Sequence, residues 1–396
     1  LLAIFLIVRS GIFSARPQPT AKPEVIQVQE TATKQLSPTI STLQDLQPDI
    51  ATPVQTARNL TVGIVLPYAD ETHWIQVANL FKELLNQQGY GVEVLFSQGD
   101  SLREMQNVET LISNGIKVLI ICPNDGTGAA AAAEFARDAG VKVVSYERPI
   151  LGTDALDYFV TFNQFSIGAA QAQYLVDMVT GTTNPLYLYP GDVSDESALS
   201  FFAGAWEVLQ PKIVDGTFVI KNSSEAVALK DKATLTRDEI FRIVAQITTN
   251  WDFYLAESLA EVDLYAATTR DKGEVFILAP NDGTARAIAD VFAADTDVTM
   301  YHITGQDAEK ESIQYIIDGK QSMTVLKDFR TLVKDSITAA IASLNGKTPK
   351  ANAEFHNSGY ITPLKESDLV TVTQNNVKAT IFDSGYYPAN DFTGLK

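Results

Sequence analysis

With 396 residues, of which 45% are apolar and 20% charged, the chain is too long for one small core and suits two lobes of ordinary domain size. It has 30 Lys and Arg residues against 48 Asp and Glu residues, a net charge of −18, and no Lys/Arg-rich run, which argues against a nucleic-acid or anionic-membrane binder. The single cysteine, Cys122, excludes an internal disulfide and a thiol metal cluster. The scattered His73, His302 and His356 give no zinc motif, so we expect neither a metal nor a cofactor.

The first 13 residues predict an export or anchor segment. Leu1 to Val8 is wholly apolar and is followed by Arg9 and Ser10. Because a bilayer crossing needs about 20 apolar residues, a signal peptide and a truncated N-terminal anchor both stay open. Residues 14–59 are rich in Pro, Gln and Thr, have few large apolar residues, and predict a disordered tether. We therefore expect an extracytoplasmic protein, tethered or secreted, in the periplasm or at the outer face of the cell membrane.

From residue 60 onward, short apolar strands alternate with amphipathic helices. The first part of the chain predicts strands at 62–66, 92–96, 117–122 and 141–146, separated by helices at 74–88, 102–113 and 128–139. This alternation is typical of βαβ units around a parallel sheet, and continuous apolar strands are expected where helices cover both faces.

The alternation continues after residue 165. Helices are predicted at 166–179, 198–209, 237–260, 285–292, 308–318 and 331–344, and strands at 186–189, 217–221, 274–279, 298–304 and 322–326, before a short-stranded tail. So many strands need two sheets. The predicted fold class is α/β, with two similar doubly wound parallel-sheet lobes.

One five-residue segment occurs twice in the same context. Residues 123–127 and 280–284 both read Pro-Asn-Asp-Gly-Thr, and each follows an apolar strand and precedes an Ala-rich helix. Ligands of doubly wound sheets bind beyond the carboxyl ends of the strands, so Asp125 and Asp282 are candidates to face each other across a cleft. Helix capping is the alternative role for each carboxylate.

Other predicted strand ends also carry polar side chains. Asp, Arg, Asn, Gln and Lys suit vicinal hydroxyls, which both donate and accept hydrogen bonds, and an aromatic ring can cover the apolar face of a pyranose. Core packing is the alternative for the aromatic residue, and a solvated loop is the alternative for the charges. The segments are His73-Trp74, Ser145-Tyr146-Glu147-Arg148, Thr161-Phe162-Asn163-Gln164-Phe165, Gly305-Gln306-Asp307 and Lys327-Asp328.

Catalytic signatures are absent from the sequence. It has no Gly-x-Ser-x-Gly elbow, no His-Glu-x-x-His pair and no Walker loop, and no Gly-x-Gly-x-x-Gly follows the first strand. Paired carboxylates can hydrolyse a glycoside, but spacing singles out no such pair. We expect a binding protein rather than an enzyme.

Residues 60–390 resemble the periplasmic-type monosaccharide-binding proteins of ABC importers, with the xylose-binding and multiple-sugar-binding branch as the nearest. The resemblance rests on the order of the segments quoted above, with Tyr146-Glu147-Arg148 where Tyr-Asp-Arg is usual. His73 replaces a frequent Arg, Asn163-Gln164 shifts the usual Asp-Asn, and Ser197 stands where relatives often offer an Asn. The implied ligand-binding residues are His73, Trp74, Asp125, Arg148, Gln164, Ser197, Asp282, Gln306, Asp307 and Lys327.

The resemblance also implies the type I periplasmic binding protein fold with three crossings between lobes, near residues 164, 327 and 357. The first lobe would then contain 60–163 and 328–356, and the second 164–327 and 357–396. The three crossings would act as a hinge for closure over the ligand.

The resulting hypothesis is a monomeric substrate-binding protein. It captures a monosaccharide of the xylose, glucose, galactose or arabinose type in the interlobe cleft and delivers it to an ABC permease. The alternative is a sugar sensor that presents its ligand to a membrane receptor or kinase. A cytoplasmic repressor with the same two lobes would need a basic helix-turn-helix, which the apolar and Pro-rich start contradicts. A glycoside-active enzyme is the remaining rival.

Overall fold

The structure, a computed structural model, describes residues 60–395, so the predicted export segment at 1–13 and the predicted tether at 14–59 lie outside the described residues. The strands are β1 Leu60–Leu66, β2 Gly91–Phe96, β3 Val118–Ile121, β4 Lys142–Tyr146, β5 Tyr158–Thr161, β6 Asn184–Leu188, β7 Phe218–Ile220, β8 Gly273–Leu278, β9 Val298–Ile303, β10 Met323–Leu326, β11 Ala353–Asn357, β12 Tyr360–Glu366 and β13 Val370–Thr373. The helices are α1 Thr72–Gln87, α2 Ser101–Ser113, α3 Ala130–Asp138, α4 Gln164–Met178, α5 Glu196–Val214, α6 Ser224–Ala228, α7 Arg237–Ile247, α8 Phe253–Ala266, α9 Asp282–Ala294, α10 Lys310–Ile317 and α11 Phe329–Leu344. Within 60–395, no helix combines the length and apolar character needed to cross a bilayer.

The first lobe is built on a seven-stranded sheet with the order β11-β12-β5-β4-β3-β1-β2. All neighbours are parallel except the antiparallel pair β11–β12 at one edge. Helices α1 and α11 cover one face and α2 and α3 the other, which explains why the residues of β3 are all buried. The continuous apolar strands of the sequence are therefore strands buried on both faces.

The second lobe contains a parallel four-stranded sheet with the order β7-β6-β8-β9. Helices α4, α5 and α7 pack on one face, and α8 and α9 pack on the other. Strand β10 pairs antiparallel with β13, and a bridge between Gln306 and Val325 joins this ladder to the segment that follows β9. The predicted alternation of strands and helices is confirmed in both lobes.

The chain passes between the two sheets three times. It leaves the first sheet after β5, returns after β10, and leaves again after β12. The prediction that the last crossing lies near residue 357 is wrong, because β12 pairs in parallel with β5, with Leu364 opposite Phe159. The short hairpin between β11 and β12 turns at Ser358 and Gly359, both with positive φ, and keeps 357–366 in the first lobe.

The helix predicted at 237–260 is two helices. Between α7 and α8, the hydroxyls of Thr248 and Thr249 donate to the carbonyl oxygens of Gly191 (2.7 Å) and Pro190 (2.8 Å). These bonds to the loop after β6 compete with helix continuation, as Thr side chains do at helix boundaries. The chain therefore turns toward the carboxyl end of the second sheet.

Helices α4 and α5 pack backbone against backbone because glycines stand at the contact. A Cβ atom at Gly168 would overlap the carbonyl group of Phe201, and one at Gly204 would overlap the carbonyl group of Phe165. Since α4 begins directly after the first crossing, this close packing fixes how the second lobe starts.

We predict that Gly204→Ala lowers the free energy of unfolding by about 1–3 kcal/mol, because the added methyl group must push two backbones apart. The matched control is Gly283→Ala in α9, where the nearest atom to the new Cβ is 3.8 Å away and φ is not positive. We expect the control to be neutral or slightly stabilising. Urea unfolding of both variants measures the difference, and equal losses would contradict the close packing of α4 on α5.

Candidate functional site

The start of α1 and the loop after β4 bring four polar and aromatic residues together in the first lobe. The ring of His73 meets the ring of Trp74 edge-on, with centroids 4.8 Å apart. Nε2 of His73 lies 3.8 Å from a carboxylate oxygen of Glu147. The guanidinium carbon of Arg148 lies 5.6 Å from the centroid of the Trp74 ring. The start of α1 and the loop after β4 are thus in contact.

Trp74 belongs to the core of the first lobe. Its side chain is only 3% exposed and packs with α1 and α11. Of the two roles considered from the sequence, core packing agrees with this burial, and covering the face of a pyranose stays a prediction. The ring also supports the guanidinium of Arg148 through a cation–π contact and so fixes where that positive charge lies.

The first Pro-Asn-Asp-Gly-Thr corner exposes Asp125 at the end of β3. One carboxylate oxygen of Asp125 accepts a hydrogen bond from the backbone N–H of Gly128 at 2.5 Å. Before Asp125, the carbonyl oxygen of Pro123 accepts from Arg148 at 3.4 Å. The corner is therefore tied to the loop after β4.

Glu104 lies beneath this corner and was missed by the reasoning from sequence. It is 1% exposed, and its Oε2 accepts a hydrogen bond from the backbone N–H of Asn124 at 2.8 Å. Burial raises the pKa of Glu104 to about 7; the Asn124 hydrogen bond and Arg148 lower it, and the charge of Asp125 raises it. The sequence does contain a signal, because Glu104 shares the buried face of α2 with Val108 and Leu111.

The second Pro-Asn-Asp-Gly-Thr corner has a different structure, because α9 begins within it. Asn281 caps the helix, and Asp282 is fully buried. The carboxylate of Asp282 accepts hydrogen bonds from Gln321 Nε2 and from the backbone N–H of Glu309, both at 2.8 Å. The sequence predicts that Asp282 faces Asp125 across a cleft; in this structure its carboxylate is buried and already accepts two hydrogen bonds.

Asp282 instead stabilises the loop that follows β9. Gly305 has no room for a side chain, because a Cβ there would overlap the Asp282 carboxylate. Burial, and then the charge of Asp307, raise the pKa of Asp282 well above its usual range. The residue is therefore part of the scaffold that holds the neighbouring strand ends.

Asp307 and Lys327 form the polar end of the second lobe. Nζ of Lys327 lies 2.8 Å from Oδ1 of Asp307. Burial tends to lower the pKa of Lys327, but the charges of Asp307, Glu147 and Asp282 outweigh it and raise the pKa. Glu147 belongs to the first lobe and the other two to the second, so charges from both lobes raise the pKa of Lys327.

The loops after β4 and β9 contain residues with strained backbone angles. Glu147 has φ +63° and Asp307 has φ +98°, and Ala308, next to Asp307, has φ +52°. Residues other than glycine rarely adopt these angles, and such strain concentrates at functional sites. The strained residues follow β4 in one lobe and β9 in the other.

Gln164, Ser197 and Gln306 lie at helix starts or strand ends. Gln164 is the first residue of α4, and the backbone N–H of Ser197 donates to Asp195 at the start of α5. Gln306 is 3% exposed. Among the described residues, Oε1 of Gln164 and Oε1 of Gln306 are buried without a hydrogen-bond partner.

Trp251 is a second aromatic residue at this edge that sequence reasoning missed. Its ring packs against Gly191 and meets Phe201 edge-on, with centroids 6.2 Å apart. Its φ of +59° follows one of +51° at Asn250, so the break between α7 and α8 aims the ring at the end of β6. No sign of this position is visible in the sequence, because the pattern of residues 237–260 predicts one continuous helix.

The amino-acid sequence is similar to a known protein family and to individual sugar-binding proteins. The profile of the periplasmic binding protein domain family matches residues 62–348. The multiple sugar-binding periplasmic protein SbpA of Azospirillum brasilense is 30% identical over 84% of this chain and 91% of its own length. The D-xylose-binding periplasmic protein of Escherichia coli is 25% identical over 85% of this chain and 93% of its own length.

Among solved structures, a carbohydrate transporter solute binding protein from Chloroflexus aurantiacus, in complex with D-glucose, is 64% identical. The match covers 86% of this chain and 100% of that one, with a TM-score of 0.72. These matches confirm the predicted fold class and the resemblance to sugar-binding proteins of ABC importers.

We predict that Asp282→Ala lowers the free energy of unfolding by roughly 2 kcal/mol or more, because two buried donors lose their acceptor. Asp290→Ala, on the exposed side of the same helix, is the control and should cost less than about 1 kcal/mol. Denaturant unfolding measures both. A stable Asp282→Ala variant that loses only sugar affinity would identify this carboxylate as a ligand contact and contradict the scaffold role.

We predict that the stability of the fold depends on pH through Glu104. The pKa of Glu104 is about 7 in the folded chain against 4.5 without the fold, so folding favours the protonated form. The contribution of protonated Glu104 to the free energy of unfolding is complete below its unfolded pKa of 4.5 and is lost as the pH rises through about 7. Between about pH 5 and pH 8, the parent should lose up to roughly 3 kcal/mol more than Glu104→Gln. Urea midpoints at several pH values test this, and parallel profiles would contradict it.

Proposed function

Because this chain belongs to the periplasmic binding protein family, we propose that it is the extracytoplasmic binding component of an ABC importer and captures a monosaccharide between its lobes. One observation carries the proposal. Lys327, at the second crossing, forms an ion pair with Asp307 of the second lobe at 2.8 Å, and the charge of Glu147 of the first lobe also raises its pKa. A ligand lodged beside Lys327 can therefore contact both lobes at once.

The ligand class follows from the side chains at these strand ends. Asp125, Glu147 and Asp307 offer acceptors, and Arg148 and Lys327 offer donors. Sugar hydroxyls need both, since each donates one hydrogen bond and accepts others. The 64% identical protein from Chloroflexus aurantiacus was solved with D-glucose, which makes D-glucose the first ligand to test. D-xylose, D-galactose and L-arabinose complete the panel.

Closure of the lobes provides the functional step. A ligand that contacts both lobes stabilises the closed form relative to the open one, and the three crossings allow the change. We propose that the closed monomer is the form that the membrane permease recognises. The segment at 1–59 would keep the protein outside the cytoplasm, either as a cleaved export signal with a tether or as an anchor. Capture and delivery break no bond, so we propose no catalysis.

We predict that at least one sugar of the panel stabilises the chain against heat. At a sugar concentration about 100-fold above Kd, the gain is about 3 kcal/mol, because the ligand binds only the folded state. Thermal-shift measurements, followed by calorimetry on the sugars that respond, test this. Absence of binding by every sugar of the panel would overturn the proposed function.

We also predict that Asp125→Asn weakens the binding of that sugar by about tenfold or more, since a charged acceptor is replaced by a neutral one. The amide oxygen can still accept from Gly128, so the corner should keep its structure. Asp138→Asn, exposed near the other end of α3, is the matched control and should bind as the parent does. Equal affinities of the parent and Asp125→Asn would remove Asp125 from the site.

A further inference from the structure

A single peptide group in the first lobe is held from both sides. Its N–H, from Asn124, donates to Glu104 at 2.8 Å, and its carbonyl oxygen, from Pro123, accepts from Arg148 at 3.4 Å. The preceding residue, Cys122, still bonds to β1 through its backbone N–H. The Pro123–Asn124 peptide is thus the point where the chain leaves the sheet, and a buried carboxylate anchors it there.

This peptide connects Glu104 to two proposed sugar contacts. Asp125 is the next residue, and Arg148 is bonded to the peptide itself. Glu104 is buried and lies behind them, so it can act on a sugar only through them. The mechanism of capture proposed above makes no use of Glu104.

We propose that Glu104 is a positioning residue of the sugar site, and that its charged form sets the Pro123–Asn124 peptide, Asp125 and Arg148 for binding, so that sugar affinity increases with pH. This inference rests on the proposed function. A charged carboxylate is a stronger acceptor for the Asn124 N–H than a carboxylic acid, and it also attracts the Arg148 guanidinium. The protonated form brings an additional donor that needs its own acceptor in a buried site.

The charged and titratable groups around Glu104 come from three neighbouring segments. Asp125 on the corner repels its charge, Arg148 after β4 attracts it, and Cys122 at the end of β3 is a fully buried thiol whose pKa burial raises. Because burial raises the pKa of Glu104 to about 7, both of its protonation states are populated near neutral pH.

Sugar binding is expected to favour the charged state. Hydroxyl groups that donate to Asp125 disperse its negative charge and weaken its repulsion of Glu104. Closure holds Arg148 in place, which strengthens its attraction. Both effects lower the pKa of Glu104 in the complex, so binding releases a proton, and by linkage the affinity rises as the pH increases through neutral.

The test is calorimetry with D-glucose, or with whichever panel sugar binds, at about pH 6, 7 and 8. The parent should bind roughly three- to tenfold more tightly at pH 8 than at pH 6, a range that the difference between charge-assisted and neutral hydrogen bonds can supply. Glu104→Gln keeps an acceptor for the Asn124 N–H but has no charge to titrate, so most of this dependence should disappear. At pH 7, titrations in two buffers of different ionisation enthalpy should show more proton release by the parent than by the variant.

Asp263→Asn is the matched control. Asp263 is a carboxyl group in the other lobe whose pKa burial also raises, and it bonds to Tyr189 and Asn222. This variant should keep the pH dependence of the parent. If the parent binds sugar with the same affinity at pH 6 and pH 8, or if Glu104→Gln keeps the full dependence, the positioning role is overturned while the proposed function stands. If the parent binds no sugar at any pH, the proposed function fails as well.

Discussion

Parallel strands place all their carboxyl ends at one edge of a sheet, and the organisation of this chain depends on that constraint. Two of the three crossings between lobes follow directly after such an end, at β5 and β12. The remaining one follows β10, which a parallel bridge between Gln306 and Val325 joins to the segment after β9. The edge where each sheet presents its loops is therefore the edge where the lobes are joined. Polar side chains on those loops therefore lie close to the crossings.

The same edge concentrates strained backbone and buried carboxyl groups. Glu147 and Asp307 hold strained backbone angles, and Glu104 and Asp282 are buried carboxyl groups whose pKa values burial raises. Strained angles oppose folding, and a buried carboxyl group is tolerated because it accepts hydrogen bonds from the surrounding donors. Their concentration around one edge supports a binding role, because a site that must hold its donors and acceptors in place before the ligand arrives needs such a scaffold.

Much of the fold could be predicted from the sequence because apolar strands buried on both faces leave a strong pattern. The predicted alternation of strands and helices is present in the structure. The order of the polar segments that follow the strands was sufficient to identify the family. The last crossing could not be predicted, since a short hairpin such as β11–β12 pairs with either sheet without changing its own pattern. The break after Ile247 was hidden because bonds from Thr248 and Thr249 to a distant loop override helical periodicity.

The candidate site was predicted less completely, for a physical reason. The two Pro-Asn-Asp-Gly-Thr corners are identical in sequence, yet only one exposes its carboxylate. What buries Asp282 is Gln321, 39 residues later in the chain, together with the lack of a side chain at Gly305. Burial set by such long-range contacts leaves no local pattern, whereas Glu104 on the apolar face of α2 did leave one.

The most direct test of the central claim is a crystal structure of this chain grown with D-glucose. We expect the sugar between the lobes, with hydrogen bonds to Asp125 or Arg148 on one side and to Asp307 or Lys327 on the other. A sugar bound to one lobe only, or on a surface remote from the three crossings, would contradict the account.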